Sequence, residues 1–256
     1  MAQANAPLAI FAHPGHELRI LHTLGQLEAA CLYLTDASGS TGHSRIPLTA
    51  GLLKQSGLPE RVDFPFIPDA ELYAGLHRHD ERLIGALALE LDRVIEIMQP
   101  RFLITDAAEG YNPAHDICHF IAVRAGNRHG LDVYDIALDA DPADYGHATP
   151  GDCMDFSLDR GALAWKLDMI RQYIALAGEQ LAQEAGHLLA LYGEPAQGCE
   201  ILRPALDWPR YDRTFEADQP FFERHGRQRV REGKYASALT YRDHLRPLLA
   251  AMMQPA

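Results

Sequence analysis

The sequence predicts an α/β fold, a Rossmann-like, doubly wound and mostly parallel sheet flanked by helices, on three observations. Short apolar runs recur at 7–12 (PLAIFA), 29–35 (AACLYLT), 101–105 (RFLIT) and 131–138 (LDVYDIAL). Segments with helical apolar spacing alternate with them. The runs end in polar loops, and in a sheet wound this way the loops at the carboxyl ends of the strands bind the ligand.

Taken in order, the first run stops at His13-Pro14-Gly15, and residues 16–29 then place Leu18, Leu21, Leu24 and Leu27 at helical intervals. A strand, a turn and a helix are expected there. The 29–35 run completes a βαβ unit with a parallel strand pair, and Asp36 to Ser40 opens a turn-rich loop that reaches about residue 44. Residues 77–99 carry Leu83, Leu87, Leu91, Val94 and Met98 on one face, a long amphipathic helix stopped by Pro100. The 101–105 strand leads into the polar loop from Asp106 to Tyr111. Asn112-Pro113 then reads as an N-cap with proline in the first position of a helix over 113–126. A further strand is expected at 131–138, a loop at 139–157, and one or two helices within 158–191. No linker precedes residues 205–256, a polar and aromatic-rich stretch read as a C-terminal extension packed on a single domain of residues 1–256.

Against 35 Asp and Glu stand 23 Lys and Arg, a formal charge of −12 that would repel polyphosphate. Neither nucleic acid nor an anionic membrane surface is an expected partner. The N-terminus lacks a basic segment followed by a long apolar run, and no stretch of about 18 apolar residues supplies a membrane span. Cys31, Cys118, Cys153 and Cys199 are scattered without CxxC pairing, which reads as reduced thiols in the cytoplasm. Oligomeric state is not legible.

Three histidines stand at strand ends. His13 follows the first strand, His16 comes three residues later at the start of a helix, and His115 begins the helix after a later strand. Three neutral imidazoles meeting at one point suit zinc and leave a fourth position open, as catalytic zinc sites do. The HxxH spacing is weak by itself in a chain with 13 histidines. The plain alternative for His13 and His16 is to cap a helix or pack at a turn, and for His115 to be a surface residue of a first helical turn. His119, one turn beyond His115, offers a fourth ligand or a hydrogen bond behind the ligands, although a packed histidine is the ordinary case. His22, His77 and His79 lack a strand-end setting and read as solvated or helix-facing.

The segment AHPGHE at 12–17, set between strand and helix, resembles the AHPDDE signature of the PIG-L/LmbE family of zinc-dependent N-deacetylases. YNPAHD at 111–116 resembles its later HPDH motif. Weaker matches are LTDASG at 34–39, Ser44-Arg45, Trp165-Lys166 and Cys199-Glu200. The resemblance spans about residues 7–205. It implies a zinc site on His13, His16 and His115, with imidazole at His16 where the family has an aspartate ligand; both are ordinary zinc ligands. It also implies an N-acyl amino sugar or glycoconjugate as small-molecule substrate, with Arg45 near it.

The family's acid–base positions depart from the pattern. Gly15 stands where the general-base aspartate is expected, and Asn112 and Ala114 replace the first histidine and the aspartate of the HPDH motif. Amide hydrolysis needs a base for water, a stabilised oxyanion and a proton for the amine. Glu109 and Asp106 are the nearby candidates for proton transfer, ahead of Asp116 and Glu17, and Glu109 is favoured because its loop can point it over the open metal position. Tyr111 or Asn112 could hydrogen-bond the oxyanion. Two functions stay open: a zinc-dependent hydrolase removing an acetyl or formyl group, and a metal-binding protein of the same fold, catalytically degenerate, with a regulatory or accessory role. In a variant of the first, the small Gly15 leaves room for a bulkier acyl chain.

Overall fold

The computed structural model describes residues 5–39, 42–58, 64 and 66–254, so Ser40 of the turn-rich loop and the extreme ends of the chain lie outside it. Six strands form one sheet: β1 (Leu8–Phe11), β2 (Ala30–Tyr33), β3 (Leu103–Asp106), β4 (Val133–Ile136), β5 (Met154–Ser157) and β6 (Cys199–Pro204). Their spatial order is β2-β1-β3-β4-β6-β5. β2, β1, β3 and β4 run parallel, while β6 pairs antiparallel with β4 and with β5. The expected doubly wound, mostly parallel α/β fold is therefore what forms. The order reverses at β1, with β2 on one side and β3 on the other, and a crevice opens at such a switch point beyond the carboxyl ends of the strands.

Side chains of β1 alternate between two cores, as a strand covered on both faces requires. Leu8 and Ile10 join one core with α3 (Asp69–His77), α4 (Glu81–Met98) and α5 (Pro113–His129). Ala9 and Phe11 join the other with α1 (Leu21–Gln26), α2 (Ile46–Gln55) and α6 (Arg160–Ala177). α7 (Glu179–Ala196) follows α6.

Several boundaries differ from the sequence reading. The helix expected at 16–29 breaks into a 3₁₀ turn, His16–Ile20, and α1. At the break, the Glu200 carboxylate accepts the Thr23 N–H at 2.6 Å and the His22 N–H at 3.3 Å, and Glu200 is itself held by Lys166 at 2.8 Å in a buried ion pair. The helix expected from residue 77 starts at Glu81, because Asp80 caps it by accepting the Leu83 N–H. The sequence pattern does not predict α2 and α3, nor β5 and β6, whose short antiparallel pairing lies partly within the expected 139–157 loop.

The stretch after β6 is helical. It contains α8 (Trp208–Ala217), α9 (Phe221–Arg231), a π-helical turn at Tyr241–Leu245 and α10 (Arg246–Met252). Tyr211, Phe222, Leu245 and Leu249 from this stretch sit in the same core as α4 and α5. Tyr211 donates its hydroxyl to Asp116 Oδ2 at 2.6 Å, and the Phe222 amide donates to the Gly110 carbonyl. Gly110 has φ +65°, and a Cβ there would overlap the Phe215 ring, so only glycine lets the loop before α5 meet α8 this closely.

Candidate metal centre

β1 ends at Phe11, and the chain turns through Ala12, His13, Pro14 and Gly15 into the 3₁₀ turn. Gly15 has φ +112°, a conformation that other residues rarely adopt, and it reverses the chain so that His13 and His16 face the same point. From the far side, α5 brings His115. Its start is built as expected: Asn112 caps the helix, its Oδ1 accepting the Ala114 N–H at 2.8 Å, and Pro113 follows.

The three imidazoles converge. Ring centres lie 5.3 Å apart for His13 and His16, 5.2 Å for His13 and His115, and 4.6 Å for His16 and His115. Rings bound through nitrogen to one tetrahedral zinc at ~2.0–2.1 Å have centres about 5 Å apart, so the ring spacing fits such an ion. Among the described residues, however, no group of three or more His, Cys, Asp or Glu side chains is placed so as to hold a metal ion. The fit is one of ring position and donor chemistry, not of gathered donor atoms.

Each of the first two rings has a carboxylate behind it. His13 Nδ1 lies 2.8 Å from Thr35 Oγ1 and 3.3 Å from Asp69 Oδ1, and the Thr35 hydroxyl also bonds Asp69. His16 Nδ1 lies 2.9 Å from Asp106 Oδ2, which also accepts the Ala12 N–H at 2.7 Å. With carboxylates as partners, Nδ1 carries the hydrogen and Nε2 keeps its lone pair, the tautomer a metal ligand needs.

Electrostatics agree with neutral imidazoles at His16 and His115. Burial, followed by the neighbouring rings, holds His16 and His115 well below the ordinary histidine value. Burial would raise Asp69, but the hydrogen bond and charge of His13, with Thr35 and the Gly39 amide, bring it down to about 2. Burial pushes Asp106 up to about 7 against the pull of the Ala12 amide. Its Oδ1 is buried with no hydrogen-bond partner among the described residues.

The other expected residues have these places. Both oxygens of Glu109 face the loop after β4: Oε2 accepts N–H groups of Leu138 at 3.3 Å and Asp139 at 2.9 Å, and Oε1 that of Ala140 at 3.4 Å. This carboxylate fastens a loop and does not reach out as the sequence suggests. Tyr111 stacks in parallel on Phe221, ring centres 4.6 Å apart. Asn112 Oδ1 also accepts the Tyr73 hydroxyl at 2.9 Å, which leaves the Asn112 amide N–H₂ as the donor end of the side chain. Arg45 immediately precedes α2, close enough for its charge to act on His16 and on Tyr173. His119 is packed: Nδ1 lies 2.9 Å from the Asp106 carbonyl and Nε2 2.9 Å from the Leu206 carbonyl.

Sequence reasoning missed Asp69 and Tyr173. Asp69 opens α3, a short helix with little amphipathic signal, and the one mark it leaves is Pro68-Asp69 as a helix start. Tyr173 keeps the apolar spacing of α6 and reads as core. A Cβ on Gly15 would stand 3.3 Å from the Tyr173 hydroxyl, so this phenol fills the space beside residue 15.

The four cysteines are free thiols, two of them buried. Among the described residues no helix is long and apolar enough to cross a membrane.

Solved structures share this fold. The A40926 pseudoaglycone deacetylase Dbv21 aligns with 91% of this chain and 95% of its own, at 17% identity and a TM-score of 0.50. A triple mutant of the deacetylase of the teicoplanin biosynthetic pathway aligns with 65% of this chain and 81% of its own, at 18% identity and 0.50. The conserved protein TT1542 from Thermus thermophilus aligns with 80% and 97%, at 18% identity and 0.53. No protein-family model and no curated protein sequence matches the chain. By these alignments and by a sheet that reverses at β1, the chain has the fold of the LmbE/PIG-L-like deacetylases.

Proposed function

We propose that the chain is a metal-dependent amide hydrolase that removes an N-acyl group, acetyl or formyl, from an amino sugar or related N-acyl compound, acting in the cytoplasm. The observation that carries this reading is the meeting of His13, His16 and His115 at the switch point, with carboxylates behind two of the rings. These three histidines would hold zinc, which when bound supplies a Lewis acid for the amide carbonyl. Asp69 and Asp106 keep the ligand rings in one tautomer and one orientation. Asp106 is the preferred proton acceptor, since Oδ2 holds His16 while Oδ1 is left without a partner among the described residues. The N–H₂ of Asn112, at the mouth of α5, is the favoured donor to the developing oxyanion, a contact worth on the order of 10²–10³ in rate where it is made. Arg45 binds a polar group of the sugar. Residues 205–256 belong to the same domain, and α8 and α9 within them buttress the Gly110–Asn112 loop.

A second reading, a metal-binding protein without turnover, is favoured by one observation. The nearby carboxylates are committed: Glu109 to 138–140, Asp116 to Tyr211 and Gly110, and Glu17 to Gly15 and Thr49. One experiment separates the two. Zinc-loaded protein is given N-acetyl and N-formyl amino sugars, and free amine is followed alongside stoichiometric metal content. Amine release that disappears in His115→Ala supports the hydrolase, metal binding without amine supports the second reading, and absence of bound metal overturns both.

A further inference from the structure

Gly15, Glu17, Thr49 and Tyr173 form a closed unit around the turn that presents His13 and His16. The Glu17 carboxylate, fully buried, accepts the Gly15 N–H on Oε2 at 2.7 Å and the Thr49 hydroxyl on Oε1 at 3.0 Å. Thr49 has one hydroxyl hydrogen, and the carboxylate takes it. The 3.0 Å contact between Thr49 Oγ1 and Tyr173 Oη is therefore donated by the tyrosine. The phenol then closes the unit by contact, its oxygen filling the space beside Gly15. Three elements meet here: the 3₁₀ turn, α2 through Thr49 and α6 through Tyr173.

We infer that Tyr173, acting through Thr49 and Glu17, is a positioning residue that sets the spacing of His13 and His16. This rests on the reading of these histidines as metal ligands. The physical reason is a balance of two contacts on one residue. Gly15 has a backbone conformation that is freely accessible but not preferred, and the turn's own hydrogen bonds, from the His16 N–H to the His13 carbonyl at 3.4 Å and from the Leu18 N–H to the Gly15 carbonyl at 3.3 Å, are long, so contacts from outside the turn add to its hold. The Glu17 carboxylate draws the Gly15 amide inward, and the Tyr173 ring limits how far the turn moves. Hydrogen bonds in a dry chain reinforce one another, so losing one hydroxyl loosens the whole set. Tyr173 is nearly inaccessible, at 1% exposure, and its hydroxyl hydrogen is committed to Thr49, which suits a positioning role.

The test uses the full-length protein with Tyr173→Phe, Thr49→Val and the double variant, and with Tyr241→Phe as a control that loses a hydroxyl bonded to Asp212, far along the chain. Cobalt(II) affinity is measured by chelator competition, and the ring nitrogens of His13 and His16 are followed by NMR in metal-free protein. Each single variant is expected to weaken cobalt binding about tenfold. The double variant should be little weaker than either single one, because both break the same chain. Ring resonances of His13 and His16 should move in all three variants and stay in place in Tyr241→Phe. Wild-type affinity and unmoved resonances in either folded single variant overturn the proposal. If wild-type protein binds no cobalt while the resonances still shift, the metal reading fails and the positioning role stands.

Discussion

Asp106 Oδ2 lies 2.7 Å from the Ala12 amide and 2.9 Å from His16 Nδ1, so one carboxylate at the end of β3 holds both the end of β1 and the imidazole beyond it. Replacing the acid by its amide keeps the shape and removes the charge. Asp106→Asn, and separately Asp69→Asn behind His13, should weaken zinc binding about 10–100-fold. Competition against a chromogenic chelator reads this directly, and an unchanged affinity in both variants would mean that neither acid backs a ligand.

Gly15 is constrained twice, by φ +112° and by the Tyr173 hydroxyl, which would stand 3.3 Å from a Cβ at this position. Gly15→Ala should cost about 1–3 kcal/mol of stability, the usual penalty for a side chain in a sparsely populated backbone region. Urea denaturation measures it. Gly15→Asp, which restores the family's residue, should lose stability as well and gain no turnover, because the phenol occupies the space its carboxylate requires.

Glu109 accepts three backbone N–H groups of the loop after β4. Glu109→Ala leaves these donors without their partner, at about 1–3 kcal/mol for each one that water does not reach. The expected signature is lower resistance to urea with turnover per folded molecule retained. Turnover lost at full stability would return Glu109 to the role of base.

The 2.6 Å bond from Tyr211 to the buried Asp116 ties α8 to the residue beside His115. Tyr211→Phe keeps the ring in the core and strips one donor from a buried acid, which should cost about 1–3 kcal/mol. Limited proteolysis should then cut first within 205–254; cleavage starting elsewhere would show that this stretch is anchored mainly by its apolar contacts.

Acid should loosen the same stretch. Burial alone would raise Asp212, but its hydrogen bonds to Arg246 and Tyr241 and the Arg246 charge hold it below the ordinary 3.8. A carboxylate lowered in the folded state contributes stability above its unfolded value, and loses it as pH falls through the folded one. Asp212 is partly exposed, so solvent and salt screening keep the effect small. Urea midpoints taken down from neutral pH to below 3.8 should fall more steeply for wild type than for Asp212→Asn; parallel curves would remove Asp212 as a source of the pH dependence.

The parallel strands and the three histidines are legible because each leaves a local mark. β1, β2, β3 and β4 are short apolar runs between polar loops, and His13, His16 and His115 sit at fixed offsets from strand ends and from an Asn-Pro helix start. β5, with side chains alternately half-buried and exposed, has too little apolar content to read as a strand, and α8 and α9 keep an amphipathic face but carry so many charges that the stretch reads as polar overall.

Apolar periodicity and capping chemistry act between residues close in the chain, so the succession of strands and helices and the placing of candidate ligands follow from the amino acids alone. Only the folded chain shows that Asp69 and Thr35 stand behind His13, that Glu109 turns to residues 138–140, and that Tyr173 fills the place beside Gly15. Those contacts join residues 22 to 158 positions apart. Hydrogen bonds and close packing of that kind depend on how folded elements meet, and no local pattern encodes which side chain arrives from the other side.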